Sequence, residues 1–309
     1  MKALKLLAAT VAAAGLFAGT AVAQLADGSA AKPFRVMLVP ADGGTEDGTK
    51  ADFKPVFDAV TKSTGLHFDI KVGQTYGAVI EAHCSGVIEI AWYGAASYLP
   101  AKEKGCAELL ALDVNHGSST YFSGIFVKAG SPVKKLADLK GKAMAFGDPN
   151  STSSFVYPVA MLLAAGLDPA KDLTSVRMTG SHANSLKALG EGLVDAAAAS
   201  FDSLEKAVNQ GSIKPGALEV LAKSDPIPNP PIAMATKLPA AVKQKLRDAF
   251  NNIHKTDGIK PEMIRGYGGK KVDRYDASIK EEVMAPALVT LSKVSKDLRQ
   301  AMIAKAGQK

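Results

Sequence analysis

The chain has 309 residues, 47% of them hydrophobic, 6% aromatic and 22% charged, with a formal charge of +7. That length suits one large or two medium domains with a substantial core. The basicity includes no block of about five or six like charges, which argues against a nucleic-acid partner, and the few aromatics argue against a carbohydrate binder built on stacked rings.

Lys2 and Lys5 precede an apolar run from Leu6 to Phe17, and Ala21, Val22 and Ala23 close it with a small-x-small pattern before Gln24. Residues 1–23 therefore read as a secretory signal peptide, cleaved after Ala23, which predicts export to the periplasm. No Cys follows the cut, against a lipid anchor, and no later stretch approaches the roughly 20 apolar residues of a membrane span. Cys84 and Cys106 are the only cysteines. An even count in an oxidising compartment predicts a disulfide, with two buried thiols as the alternative.

Strand and helix patterns alternate from Phe34 onward. A strand at 34–40, a Gly- and Asp-rich loop at 41–49, a helix at about 51–64 and a strand at 68–72 make a β-α-β unit. A helix at 76–84 and a buried strand at 87–92 follow, the latter stopping at Tyr93 and Gly94, where open α/β sheets place ligand loops. A helix at 96–104 and strands at 107–113 and 121–128 complete an expected first lobe.

The chain changes character at Ser131. A strand at 142–146 runs into Gly147-Asp148-Pro149-Asn150-Ser151-Thr152-Ser153-Ser154 and then a longer apolar segment, 155–167. Gly and Pro set a turn, and Asn150 or Ser151 can cap the helix, whose first N–H groups lack intrahelical partners. With the Ser151, Thr152 and Ser153 hydroxyls and the positive end of the helix dipole, this stretch forms a socket for a small oxyanion. The bland alternative is an ordinary capped helix. No Lys or Arg occurs from 143 to 170, so recognition there relies on aimed neutral donors. Pro158 should bend the helix.

Beyond it come a strand at 175–178, a loop at Gly180-Ser181-His182, a helix at 183–191 and a strand at 196–200, with Asp202 just after it. The Pro-rich run 225–231 reads as a stiff crossover back to a strand at 232–236. Helices at 240–254 and 279–304 follow, the second broken at Pro286. This last region packs either on the first lobe or on a second copy of the chain in a homodimer. The alternation defines an α/β fold.

The stretch Glu89 to Gly94 (Glu-Ile-Ala-Trp-Tyr-Gly), Gly147 to Ser153 and Gly180 to His182 together resemble the phosphonate-binding, PhnD-like proteins of bacterial ABC importers, over about residues 34–236. The resemblance implies a type II periplasmic binding protein: two α/β lobes joined by two crossover segments, with ligand in the cleft between them. The expected lobes are 24–129 with 232–309, and 130–231. By motif, Ser151, Thr152 and Ser153 would hold the phosphonate oxygens, His182 would add a ring N–H, and Tyr93 with Tyr76 would supply phenolic donors from the first lobe. Of Trp92 and Tyr93, strand alternation turns only one to the cleft, and Tyr93 is the expected one.

Asp202 falls where the family carries an acid, and a carboxylate beside an anion needs a shared proton or a ligand ammonium. The resemblance implies that aminoethylphosphonate-binding members carry a further aspartate in an Ile-Pro-x-Asp-Pro crossover, where this chain has Ile227-Pro228-Asn229-Pro230-Pro231. That difference tilts the expected ligand toward phosphite, methylphosphonate or a similar small reduced-phosphorus anion, over an aminoalkylphosphonate. Ser154 stands where a Gly is expected, which implies a tighter pocket floor.

The resemblance implies a membrane permease and ATPase as partners, and no cofactor. Competing classes are a secreted phospho-ester hydrolase using Ser151 or His182, and an anion-sensing domain. His83 and Cys84 invite a metal reading, but no metal-ligand spacing accompanies them. Nor does a Gly-x-Ser-x-Gly motif or a sequence-evident base accompany the serines.

Overall fold

The computed structural model describes residues 26–41 and 46–308, so the expected signal peptide lies outside the described residues. The chain opens with β1 (Phe34–Leu38), α1 (Glu46–Thr64) and β2 (Phe68–Val72). β1 and β2 are parallel, with Phe34 opposite Phe68, and α1 buries Phe53, Val56, Phe57 and Val60 at helical spacing against them. There follow α2 (Tyr76–Cys84), β3 (Ile90–Trp92), α3 (Ala95–Glu103) and β4 (Ala107–Val114). Cys84 and Cys106 form a disulfide that ties the end of α2 to the start of β4, with 4.9 Å between their Cα atoms.

Next come β5 (Thr120–Tyr121), β6 (Ser123–Lys128), β7 (Ala143–Phe146), α4 (Tyr157–Ala164), α5 (Pro169–Asp172), β8 (Ser175–Met178), α6 (His182–Gly190), β9 (Ala196–Ser200), α7 (Phe201–Asn209) and β10 (Leu218–Lys223). The chain ends through β11 (Ile227–Pro228), β12 (Ile232–Ala235), α8 (Ala240–Asn252), β13 (Arg274–Asp276), α9 (Ala285–Ser292) and α10 (Lys296–Ala306).

Two sheets result, in the orders β13-β4-β12-β3-β1-β2 and β10-β6-β9-β7-β8. Each carries its own apolar core with helices packed on the sheet. Up to β12 the chain crosses between the sheets twice, and these two crossings pair as a short antiparallel ribbon, Tyr121 opposite Ile227 and Thr120 opposite Pro228. The two-lobed α/β architecture of a periplasmic binding protein is therefore present.

Two expected boundaries move. The first crossing lies at Thr120–Tyr121, not near 129, because β6 pairs with β9 and β10 in the second sheet. β6 is buried and apolar in either lobe, so its residues alone do not say which sheet takes it. The second shift concerns 232–309, which the sequence reading kept with the first lobe. Val294 and Met302 bury in the second lobe's core, and Arg299 sits over the Phe155 ring, so α10 belongs on the second lobe. Pro286 does not break the last helical region. It occupies the first turn of α9, where its missing N–H has no intrahelical bond to make. The break falls before Ser295, whose hydroxyl accepts from Leu298 N–H at 3.1 Å and caps α10.

Candidate functional site

Ser151 caps the helical segment after β7, its Oγ accepting from Ser154 N–H at 3.2 Å. The first turn, Thr152–Val156, is a wide one, with Val156 N–H donating to the Ser151 carbonyl five residues back. The bend expected from Pro158 takes this form. Pro158 has no N–H for the Ser154 carbonyl, and that oxygen instead accepts from Gly147 N–H at 3.1 Å, pulling the turn back onto the end of β7. The Ser154 side chain then donates to Ser151 Oγ at 2.7 Å. A Cβ on Gly147 would stand 2.2 Å from Ser154 Oγ, so the turn accepts only glycine there.

The three hydroxyls of this turn face the other lobe and its hinge. Tyr76, at the start of α2, shares hydrogen bonds with Ser151 and with Tyr267. Tyr121, on the crossover ribbon, donates to Ser153 Oγ at 3.1 Å. Thr152 Oγ1 accepts from Ala96 N–H in the first turn of α3 at 2.9 Å. That approach requires Gly94, where a Cβ would lie 2.7 Å from the same oxygen. Burial raises both phenols well above the usual tyrosine range, so at neutral pH they remain protonated donors.

His182 opens α6, and its Nδ1 accepts from Ser200 N–H at 2.9 Å. A neutral ring accepting at Nδ1 carries its proton on Nε2, and Nε2 lies 3.4 Å from Ser151 Oγ. The His182 N–H donates across the gap to the Ala41 carbonyl at 2.8 Å. Asp148 spans the lobes as well, accepting from Asn150 N–H at 2.7 Å and Tyr76 N–H at 3.2 Å. Outside the turn, Arg299 from α10 donates to the Pro149 carbonyl and to Asn150 Oδ1. It braces the turn from a position 150 residues further along the chain.

Tyr93 is not brought to this place. Its hydroxyl sits 3.0 Å from His83 Nδ1 and donates to the Val79 carbonyl at 3.4 Å, and its ring stacks on His83 and lies against Tyr98. Trp92 is buried too, among Phe53, Tyr267 and Tyr275, with its indole N–H on the Pro230 carbonyl. The alternation argument presumed one open face, whereas β3 lies inside a sheet whose side chains are covered on both faces. Tyr121 is the phenol that reasoning missed. It belongs to no motif, and only the pairing of the two crossings places it. Glu89 is structural, its carboxylate accepting from Ala26 N–H at 3.0 Å and from the Arg35 backbone and side chain.

Asp202, in the first turn of α7, neighbours Tyr121 but is paired to Lys270 from the first lobe at 3.1 Å. Asp113, at the end of β4, is fully buried, and neither carboxylate oxygen has a hydrogen-bond partner among the described residues. Burial pushes its carboxyl from 3.8 up to about 6. Between those values the folded chain holds a proton that the unfolded chain has released, so this group withdraws stability as pH rises from about 4 to 6. The cost stands in full above that window. Asp113→Asn is therefore expected to raise the melting temperature by about a few degrees at pH 8, with the gain vanishing as pH falls toward 4. Melts of both proteins across that range check this, and a pH-independent difference would refute it.

The site as a whole has a common plan. Hydrogen bonds bring the amino ends of α2, α3 and α6 to the segment after Ser151, and Asp202 at the start of α7 stands beside Tyr121, so positive dipole ends gather at the hydroxyls. Donors gathered in this way have the chemistry to hold a tetrahedral oxyanion. No group of three or more His, Cys, Asp or Glu residues is placed to hold a metal among the described residues.

Residues 43–278 match the family described as the periplasmic substrate-binding protein of phosphonate ABC transporters. The phosphonates-binding periplasmic protein of Escherichia coli K12 is 30% identical over 226 residues, covering 72% of this chain and 67% of that one. The phosphate-import protein PhnD of Mycolicibacterium smegmatis is 29% identical over 225 residues, 69% of each chain. Among solved structures, a binding-protein component of a Pseudomonas aeruginosa ABC phosphonate transporter superposes with a TM-score of 0.75 at 21% identity, covering 88% of this chain and 94% of that one. PhnD1 of Prochlorococcus marinus, solved with methylphosphonate, gives 0.72 at 17% identity, covering 84% and 97%. At those identities the two structures speak for the fold alone.

Proposed function

This chain belongs to the family of periplasmic substrate-binding proteins of phosphonate ABC transporters, and from that premise we propose that its cleft captures a small phosphorus oxyanion lacking an amine, phosphite or methylphosphonate. The family is a solute-binding component that serves a membrane permease and ATPase from the periplasm, and is not an enzyme. We take the mature protein to begin after Ala23.

One observation carries the reading of the site: the phenols of Tyr76 and Tyr121 meet Ser151 and Ser153 across the interlobe gap. In the proposed complex these four hydroxyls, with Thr152 and the Nε2–H of His182, donate to the oxyanion. Tyr121 takes the role first expected of Tyr93. Asp202 is the neighbouring acceptor and favours an anion that keeps a P–OH, which sulfate cannot offer. Asn229 is neutral, and its amide donates to the Asp113 carbonyl at 3.0 Å, so it adds no charge for a ligand ammonium. An aminoalkylphosphonate is the second reading, favoured by Asp202 standing beside Tyr121.

Calorimetry with phosphite, methylphosphonate, aminoethylphosphonate, phosphate and sulfate tests the proposal. Phosphite or methylphosphonate should bind most tightly and sulfate not measurably. Failure of every phosphorus anion to bind would overturn the reading, and a preference for aminoethylphosphonate would select the second one.

A further inference from the structure

Two carboxylates from different lobes flank one lysine at the edge of the hydroxyl cluster. Lys270 Nζ stands 3.1 Å from Asp202 Oδ2 and 4.0 Å from Asp113 Oδ2, with its side chain three-quarters buried. The loop that bears it is tightly pinned. Gly266 N–H donates to the Lys270 carbonyl at 2.8 Å, and Gly269 N–H to the Gly266 carbonyl at 3.0 Å. Gly268 and Gly269 take positive φ values of 72° and 78°. A Cβ on Gly266 would lie 2.4 Å from Asp113 Oδ2, so glycine is what lets the loop press onto that acid. Tyr267 in the same loop reaches the Tyr76 hydroxyl, which makes the acid–lysine cluster continuous with the hydroxyl cluster. A cavity of about 300 Å³, lined in part by Asp202, Tyr267 and Lys270, opens from it to solvent.

Asp113 is buried without a hydrogen-bond partner among the described residues and the half-buried Asp202 lies close by, so a cation between the two acids is favourable. Here the protein's own side chain supplies it. We propose that Lys270 is a tethered ammonium that occupies the cation position between Asp113 and Asp202, and so reserves the cleft for phosphorus oxyanions that bring no amine. The lysine thereby acts twice. It blocks the place where a ligand ammonium would find its counter-charges, and it offsets part of the negative charge that would otherwise repel the bound anion. Since Lys270 and Asp202 come from opposite lobes, the pair also forms only when the lobes meet.

The inference rests on the cleft being the phosphorus-anion site, and the test separates the two. Affinities for methylphosphonate and 2-aminoethylphosphonate are measured by calorimetry for the parent protein, Lys270→Met, Lys270→Gln and Lys270→Met/Asp202→Asn, with melting curves to establish folding. The neutral variants should bind 2-aminoethylphosphonate at least about ten-fold better relative to methylphosphonate than the parent does, while losing methylphosphonate affinity. Adding Asp202→Asn should remove that gain. An unchanged ratio in folded Lys270→Met and Lys270→Gln overturns the role of Lys270 while leaving the site intact. Absence of binding to either ligand in the parent overturns the site itself.

Discussion

Ser151→Ala is expected to weaken methylphosphonate binding by about 10- to 150-fold, because a hydrogen bond to a charged oxygen contributes roughly 1.5–3 kcal/mol. Ser151 Oγ is the node of the turn. It accepts from the Ser154 N–H and hydroxyl, lies 3.4 Å from His182 Nε2 and is bonded with Tyr76. Alanine removes the oxygen and leaves those donors competing for fewer acceptors. The same change deletes a helix cap, worth about 1 kcal/mol, so the unliganded protein should also melt earlier. The two effects separate cleanly: the melt without ligand reports the cap, and titration calorimetry of the folded variant reports the anion. A loss of less than about two-fold in affinity would remove Ser151 from the site.

Tyr121→Phe should cost about ten-fold or more in affinity for the same reason, whereas Tyr93→Phe should leave affinity close to the parent value. The contrast follows from where the two hydroxyls point. Tyr121 donates into the hydroxyl cluster at Ser153, while Tyr93 serves the buried His83 behind α2. Burial lowers His83 to about 4, so its ring is neutral at physiological pH, and its Nε2 has no partner among the described residues. Removing the Tyr93 hydroxyl would orphan Nδ1 as well and lower stability by roughly 1–3 kcal/mol. Denaturant melts and calorimetry on both variants test the pair together. The opposite pattern, with Tyr93→Phe impairing binding and Tyr121→Phe neutral, would restore the assignment made from the motif.

What could be read in the sequence was local. The turn from Gly147 to Ser154, with its cap and its hydroxyls, is specified by residues a few positions apart, and its chemistry follows from any chain that forms it. The alternation of strands and helices and the disulfide partners were similarly accessible. Groups that arrive from far along the chain were not. Arg299 reaches Pro149 only because α10 folds onto the second lobe, and Lys270 meets Asp113 and Asp202 only because a glycine loop of the first lobe faces α7. Tyr93 misled because its neighbours in sequence resemble a cleft edge, while the helices that cover it are visible only in the assembled sheet. Tyr121 shows the same limit, since its position depends on which of two equally apolar sheets receives β6.

The pairing of Tyr121 with Ile227 has a mechanical corollary. The residue that offers its phenol to Ser153 is itself one rung of the narrow ribbon that joins the lobes. Grip and joint are thus one piece. In the proposed complex, parting the lobes would leave the anion with only part of its donors, so a half-opened form would hold it poorly.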